Sequence, residues 1–452
     1  MNSDAGNQAL RSQPVGLPAR TGSATRARVA HLHAGKEKPV RRRHPWIFSG
    51  AIRRVEGSPA PGDLIEVVDA QGAWLARGYF NPRSQISIRI LSWDRDEAID
   101  ATFWRRRLAA ASAARTGLAA DTRTTAYRLV YAEGDGLPGL VVDRYGESRA
   151  PGGADSQAVG VVGGTQSTAP GAVGRGDWLV VQFLTAGVEA RRVEILDALE
   201  ALFAPIGIVD RSDVPVRQQE GLHPRRELCR GVAPPPYLEI VENGLRFHAD
   251  LLNGQKTGFY LDQRENRRIV GAQAKDRRVL NAFSFTGAFG IYALAGGASH
   301  VTNVDASYEA LKGAEAAMRL NGFDPDRQAE GIAGDVFQVL RALRDEGRRF
   351  DLVILDPPKF AKGKSDLPGA TRGYKDINLL GFKLLAPGGL LATFSCSGSM
   401  TPDLFQKVVF GANLDAGRDA QIVAKFGHGP DHPILLSFPE GEYLKGLLCR
   451  VA

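Results

Sequence analysis

Residues 277–307 read RRVLNAFSFTGAFGIYALAGGASHVTNVDAS. Val279 and Leu280 lead into a small-residue turn over 281–290. An apolar helical stretch follows over 289–295, and a second short run, 301–304, ends on Asp305. A strand, a tight turn, a crossover helix and a parallel strand make a βαβ unit, which opens a doubly wound α/β sheet. Ligands of such sheets sit beyond the carboxyl ends of the strands, so this stretch predicts both the fold class and the place of the site.

The turn narrows the ligand. A dinucleotide site needs G-x-G-x-x-G, so that backbone can approach a pyrophosphate at a helix N-terminus. Here the turn is FSFTGAFG, with only Gly287 and Gly290, and Phe283, Phe285 and Phe289 stand where close approach would be needed. S-adenosylmethionine asks for the same cradle without the phosphate: a close turn for its methionine part, an acid for its ribose hydroxyls and an apolar wall for adenine. Phe283, Ser284, Thr286 and Gly287 form that turn. Asp305, with Ser307 beside it, is placed to accept from both hydroxyls. Taken alone, the turn would serve another βαβ protein equally well.

The remaining strand ends add to it. A helix over 308–320 leads to a strand over 329–333, closed by Asp335. That carboxylate can accept from the adenine amine while the Val336 backbone bonds a ring nitrogen; Asp335 also reads as the N-cap of a helix over 336–344, and the two roles can coexist. The strand 350–355 runs into Asp356-Pro357-Pro358-Lys359, where two prolines fix φ and remove two donors, stiffening the turn. A helix over 376–385 should end at Pro387, and the strand 390–394 then delivers Ser395-Cys396-Ser397-Gly398. An isolated cysteine is usually a small buried hydrophobe. At the end of a strand next to the one carrying Asp356, it instead suggests a soft nucleophile that adds to C6 of a pyrimidine, with an acid on the N3 and amine edge. Addition at C6 makes C5 a carbon nucleophile, which carbon methylation of cytosine requires.

The whole chain has 452 residues, which at ~150 per domain suggests two to four domains. Its net charge of +7 favours an acidic partner, nucleic acid first. Residues 1–27 are polar and aperiodic and read as a disordered tail. Short β runs at 29–33, 46–48, 64–68, 74–79 and 86–91 suggest a small β barrel. Within it RRRHPWIFSG sets Arg41, Arg42 and Arg43 beside Trp46 and Phe48. The arginines suit phosphates, while the two aromatics read as core more readily than as base platforms. A basic helix over 103–118, a hairpin over 127–133 and 140–144, a low-complexity insertion over 147–176, and a strand, helix and strand at 178–184, 188–203 and 207–210 make an α+β middle unit. No chemistry is legible in it. A second hairpin turns at Asn243-Gly244. In KTGFYLDQRENRR, residues 256–268, Gln263 or Arg264 could meet a carboxylate of the cofactor, or the segment is an ordinary surface helix. Strands at 422–425, 435–438 and 446–450 should complete the sheet. Three dispersed cysteines give neither a disulfide framework nor a zinc site. His428 and His432 lie among glycine and prolines with no helical face, so no metal is expected. No apolar run of about 18 residues is present, so a soluble, cytoplasmic protein is expected.

These residues resemble the ribosomal RNA large subunit methyltransferase I family, through RHPWIFSGAI, KTGFYLDQRENR, NAFSFTGAFG, GDVF, ILDPPKF, RGYKDINLL, TFSCSG and FPEGEYLKGLLCRV. The resemblance implies a PUA-like RNA-binding domain at 28–97, an α+β middle domain at 98–225 and a Rossmann-like class I methyltransferase domain at 226–452. It also implies S-adenosylmethionine as cofactor, 23S ribosomal RNA as substrate, 5-methylcytosine as product, Cys396 as nucleophile and Asp356 as its partner; Lys359, after the two prolines, is a candidate RNA-binding residue. The tail and the insertion depart from the family's pattern. Lys359 and Phe360 also stand where some RNA cytosine methyltransferases carry a second cysteine. Two alternatives compete: a nitrogen-directed RNA methyltransferase in which Asp356-Pro357-Pro358 holds an amine, and a non-catalytic RNA-binding ribosome assembly factor. Lys359 follows the two prolines where amino methyltransferases usually stack an aromatic on the flipped base, and three strand-end carboxylates would have no use in the assembly factor. Oligomeric state stays open, a homodimer included.

Overall fold

The computed structural model describes residues 28–147, 176–361 and 363–452. The expected tail and nearly all of the insertion lie outside the described residues.

The first unit is a six-stranded sheet in the spatial order Trp46–Ile47, Ile88–Ser92, Trp74–Phe80, Leu64–Val68, Val29–Leu32, Ile52–Glu56. The last of these is absent from the sequence reading. Its residues, IRRVE, are exposed after the first, so no alternation betrays it. The middle unit is a five-stranded sheet ordered Arg226–Gly231, Gly207–Arg211, Asp177–Phe183, Leu140–Gly146, Ala126–Tyr131. Arg226–Gly231 pairs antiparallel with Gly207–Arg211, so this sheet runs past the expected boundary at 225. Next comes the hairpin Leu238–Glu242 and Leu245–Ala249, whose Asn243 and Gly244 have φ of 50° and 85°, the left-handed pair a two-residue turn requires.

The third unit holds seven strands: β1 Arg278–Ala282, β2 His300–Asp305, β3 Ala329–Ala333, β4 Phe350–Leu355, β5 Leu385–Ser395, β6 Ala420–Phe426 and β7 Lys445–Val451. Their spatial order is β3-β2-β1-β4-β5-β7-β6, with β7 antiparallel to both neighbours and β1 to β5 parallel. The principal helices are α1 Arg264–Gly271, α2 Ala288–Ala295, α3 Tyr308–Leu320, α4 Val336–Asp345, α5 Leu367–Leu384 and α6 Pro402–Asp415. Val279, Leu280, Val353 and Ile354 are fully enclosed because helices cover both faces. That is why these strands read as unbroken apolar runs.

Three expectations need correction here. Helix α5 begins well before 376, at Leu367 with Pro368 in its first turn, and Gly369 and Gly373 dilute its pattern. Pro387-Gly388-Gly389 lies inside β5, where the ladder shifts register, instead of ending a helix. Residues 435–438 form a turn, not a strand; the Phe438 N–H bonds Leu435 O at 2.9 Å, and its ring packs on Trp46 of the first sheet.

Candidate active site

The parallel run β1, β2, β4, β5 brings the residues after each strand to one edge. There a cavity of about 1010 Å³ opens. Its walls include Phe283, Ser284, Thr286, Asp305, Asp335 and Val336 on one side, and Asp356, Lys359 and Cys396 on the other.

The turn after β1 is unusual in its backbone. Phe283, Phe285 and Gly287 all have positive φ, at 59°, 47° and 75°. For the two phenylalanines this conformation costs on the order of 1–3 kcal/mol each, and such strain collects at functional sites. It is held by the Ser284 N–H on Val304 O at 3.0 Å, the Gly287 N–H on Ser284 O at 2.8 Å and the Phe285 N–H on Asp305 Oδ2 at 2.8 Å. The Ser307 N–H fixes the other Asp305 oxygen at 2.9 Å. One lone pair on each oxygen is left for a ligand. Ser307 itself does not reach the cavity: its hydroxyl caps α3 by accepting from Ala310 N–H at 3.1 Å. Gly287 likewise serves the turn rather than the lining. Asp335 caps α4 through the Gln338 N–H at 3.0 Å and also lines the cavity.

Arg264 corrects an expectation. It is wholly enclosed in a bidentate pair with Asp431, at 2.9 and 3.1 Å, so it joins α1 to the loop after β6 and does not face the cavity. Its neighbour Gln263 does, donating to Asp356 Oδ1 at 3.0 Å. Burial, followed by the charge of Asp262, pushes Asp356 up to about 7. Burial opposes ionisation of Asp262 as well, but Lys256 at 2.7 Å, His432 and the Tyr443 hydroxyl hold it well below the usual carboxylate range. One cavity thus carries a carboxylate that stays charged and one that exchanges its proton near neutrality, a pairing typical of acid–base sites.

Cys396 is half-buried, its Sγ 4.0 Å from Pro357 O of the adjacent strand's turn. Burial first and Asp356 second push its thiol up to about 11. The flanking serines anchor it. The Ser395 hydroxyl bonds Tyr374 OH at 2.9 Å, and Ser397 Oγ accepts from Ala361 N–H at 3.2 Å and lies 3.1 Å from the same tyrosine hydroxyl.

The middle unit, which offered no legible chemistry, supplies a wall of the cavity through Arg128, Val141, Gln182, Leu184 and Val214. Nothing in the sequence marks these, because ordinary core residues line a site only once the domains pack. Trp46 is not a base platform: it contacts Phe438 at 4.5 Å between ring centroids and donates to Glu133 at 2.7 Å. Arg41, Arg42 and Arg43 are exposed at the end of the short helix Lys38–Arg41 and the turn after it in the first unit, and are not among the residues lining the cavity. His428 accepts from the Leu444 N–H at 2.9 Å, a structural contact. The cluster Asp210, Glu227, Cys229 is occupied by the Arg192 guanidinium, which bonds all three.

The residues present fit S-adenosylmethionine. The strained turn and oriented Asp305 suit its polar end, Ser284 Oγ is buried with no partner among the described residues, and Phe283 and Phe337 offer apolar rings 6.3 Å apart. Residues 226–423 match the family model described as S-adenosylmethionine-dependent methyltransferase, and residues 30–93 match the PUA-like domain. A protein from Klebsiella pneumoniae (strain 342) named ribosomal RNA large subunit methyltransferase I is 47% identical over 420 residues, 93% of this chain and 97% of its own. A protein of the same name from Tolumonas auensis is 48% identical over 423 residues, 93% of this chain and 99% of its own. Among solved structures, a SAM-dependent methyltransferase from Streptococcus mutans superposes with a TM-score of 0.76 at 20% identity, and the methyltransferase SMU.776 complexed with SAH with 0.77 at 21%; each match covers 94% of this chain and 100% of the other. The fold is therefore shared nearly end to end. Among the described residues no helix is long and apolar enough to cross a membrane. The chain is an S-adenosylmethionine-dependent methyltransferase with a PUA-like domain, and it belongs to the ribosomal RNA large subunit methyltransferase I family.

Proposed function

We propose that the protein methylates C5 of a cytosine in 23S ribosomal RNA, with Cys396 as the covalent nucleophile. The observation that carries this is the thiol of Cys396 and the carboxylate of Asp356 lining one cavity from the ends of adjacent parallel strands. S-adenosylmethionine supplies an electrophilic methyl group. The Phe283–Thr286 turn would hold its methionine part, Asp305 its ribose hydroxyls, and Asp335 with the Val336 backbone its adenine.

The chain's own groups do the rest. Asp356, exchanging its proton near neutrality, can take the thiol proton and deliver it to N3 of the base. Sγ then bonds C6, and the electron pair displaced makes C5 nucleophilic. After methylation C5 loses its proton to solvent water, the C6–S bond breaks, N3 returns its proton to the Asp356 carboxylate, and Cys396 leaves as thiolate. Lys256 and Lys359 both favour that thiolate. Lys359, exposed at the rim, suits a phosphate of the RNA. With lysine after the two prolines and Phe360 turned onto Tyr374 at 4.7 Å, no aromatic side chain stacks there for an amino methyltransferase.

Cys396→Ala should abolish methyl transfer while calorimetric affinity for S-adenosylmethionine stays within about twofold. Nucleoside mass spectrometry of large-subunit RNA should find 5-methylcytidine lost in cells lacking the protein and restored by wild type only. Undiminished turnover in Cys396→Ala would overturn the covalent route, and loss of an N-methylated nucleoside instead would favour the nitrogen-directed alternative.

A further inference from the structure

Strand β7 lies antiparallel to β5, with Lys445 directly opposite Ser395, the residue before Cys396. Lys445 as a whole is 4% exposed. The ammonium donates to Ser397 O at 2.9 Å and to Met400 O at 2.6 Å. Ser397 O also accepts the Met400 N–H at 3.0 Å, so the lysine closes the turn that carries the thiol. Neither acceptor is a carboxylate. An ammonium whose enclosed hydrogen bonds go to neutral carbonyls is expensive to fold, and the charge of Glu442 offsets that cost only in part, since burial still dominates. Tying two carbonyls together needs no charge; an amide or hydroxyl would do it. A charge kept at such cost, one residue from the nucleophile, calls for a use.

We infer that Lys445 is a positioning residue for the nucleophile, holding the 396–400 turn and supplying a fixed positive charge that favours the thiolate of Cys396. The inference rests on Cys396 acting as the nucleophile. The thiol needs such help: burial, Asp356 and Asp262 all disfavour its ionisation, and of the cations near it Lys256 is paired to Asp262 while Lys359 stands exposed at the rim. Burial lowers Lys445 to about 8, which leaves it charged at neutral pH. Glu442, Lys359, His428 and Cys396 are the other titrating groups around it. A nearby cation lowers a thiol's pKa and raises its thiolate fraction at a given pH.

The test is the rate of iodoacetamide alkylation at pH 7, where Lys445 is charged, read at the Cys396 peptide by mass spectrometry in the full-length protein. Lys445→Gln keeps a donor for the carbonyls without charge, Lys445→Met removes both, and Lys445→Arg keeps the charge. Calorimetric binding of S-adenosylmethionine within twofold of wild type certifies the fold of each. Alkylation of Cys396 at pH 7 should be at least tenfold slower in the Gln and Met variants and slowed less in Arg, and the difference should vanish above the pH at which Lys445 itself loses its proton. Alkylation of Cys229 should be unmoved. Turnover should fall at least tenfold in Gln with KM for RNA little changed. A wild-type alkylation rate at pH 7 in Lys445→Gln would overturn the inference, whatever its turnover, and leave Lys445 as a clamp alone. Retained turnover in Cys396→Ala would instead remove the nucleophile, and the alkylation rate would still report separately on Lys445.

Discussion

Asp356 shows how one side chain carries both stability and chemistry. Its carboxyl has a value of 3.8 when free and about 7 in the fold. Between those values the folded chain holds a proton that the unfolded chain has released, so stability falls as pH rises through this window and stays lowered above it. Asp356→Asn keeps an acceptor for Gln263 and removes the charge. Calorimetric melting should therefore find the variant above wild type at pH 8, with the gap closing toward pH 4, while methyl transfer is lost. A constant gap would mean that the carboxylate is well solvated in the folded protein. The aspartate itself was legible in the sequence, because a carboxylate between an apolar run and two prolines can only project from a strand end. Its altered acidity was not: that depends first on burial in the packed cavity and then on Asp262, ninety-four positions earlier in the chain, arriving in the same place. Nor was the fate of Arg264 legible, since its partner Asp431 lies 167 residues away.

The βαβ unit was readable as a pattern because its strands are buried on both faces, yet the roles of its glycines emerge only in three dimensions. Gly287 takes a positive φ in the turn. Gly290 lies in α2 where a Cβ would stand 2.8 Å from Asn303 Oδ1 and 3.1 Å from Val301 Cγ1. Asn303 cannot give way easily, because it is buried and accepts from Asn281 Nδ2 at 2.9 Å. Gly290→Ala gains ~1 kcal/mol of helix propensity. Overpacking costs ~1–3 kcal/mol and should outweigh it, lowering the urea midpoint with an unchanged slope. A raised midpoint would mean that α2 can slide off the sheet. The left-handed Phe283 and Phe285 could not have been foreseen, since bulky residues avoid that conformation unless the surrounding structure imposes it. The edge strand Ile52–Glu56 and the early start of α5 escaped for the opposite reason: their residues carry too little periodic signal.

At the scale of the molecule, RHPWIF is first a joint between domains. His44 and Trp46 pack on Phe438, His44 meets Glu440 at 3.3 Å, and Ser437 donates to Arg43 O at 3.0 Å. Glu440, Tyr443 and Leu444 of that same loop line the cavity that holds Asp356 and Cys396, and Lys445 follows them to the thiol turn. The PUA-like domain is thus seated against the segment that leads to the Cys396 turn. With Trp46 committed to this joint, the exposed arginines are what remains of the motif for RNA. Arg41 already pairs with Asp69 at 2.6 Å and Arg43 lies 5.4 Å from the Trp93 ring centroid, so the three do not act as free charges alike. Each phosphate neutralised adds ~0.7–0.9 to the slope of log K against log salt. Replacing Arg41, Arg42 and Arg43 together by glutamine should reduce that slope by ~1.4–1.8, as two contacts would, and weaken RNA binding most at low salt. The rate at saturating RNA should hold, because the cavity lining is untouched. An unchanged slope would mean that the RNA approaches from the catalytic and middle domains, leaving the PUA-like domain as a brace for the loop over 438–444.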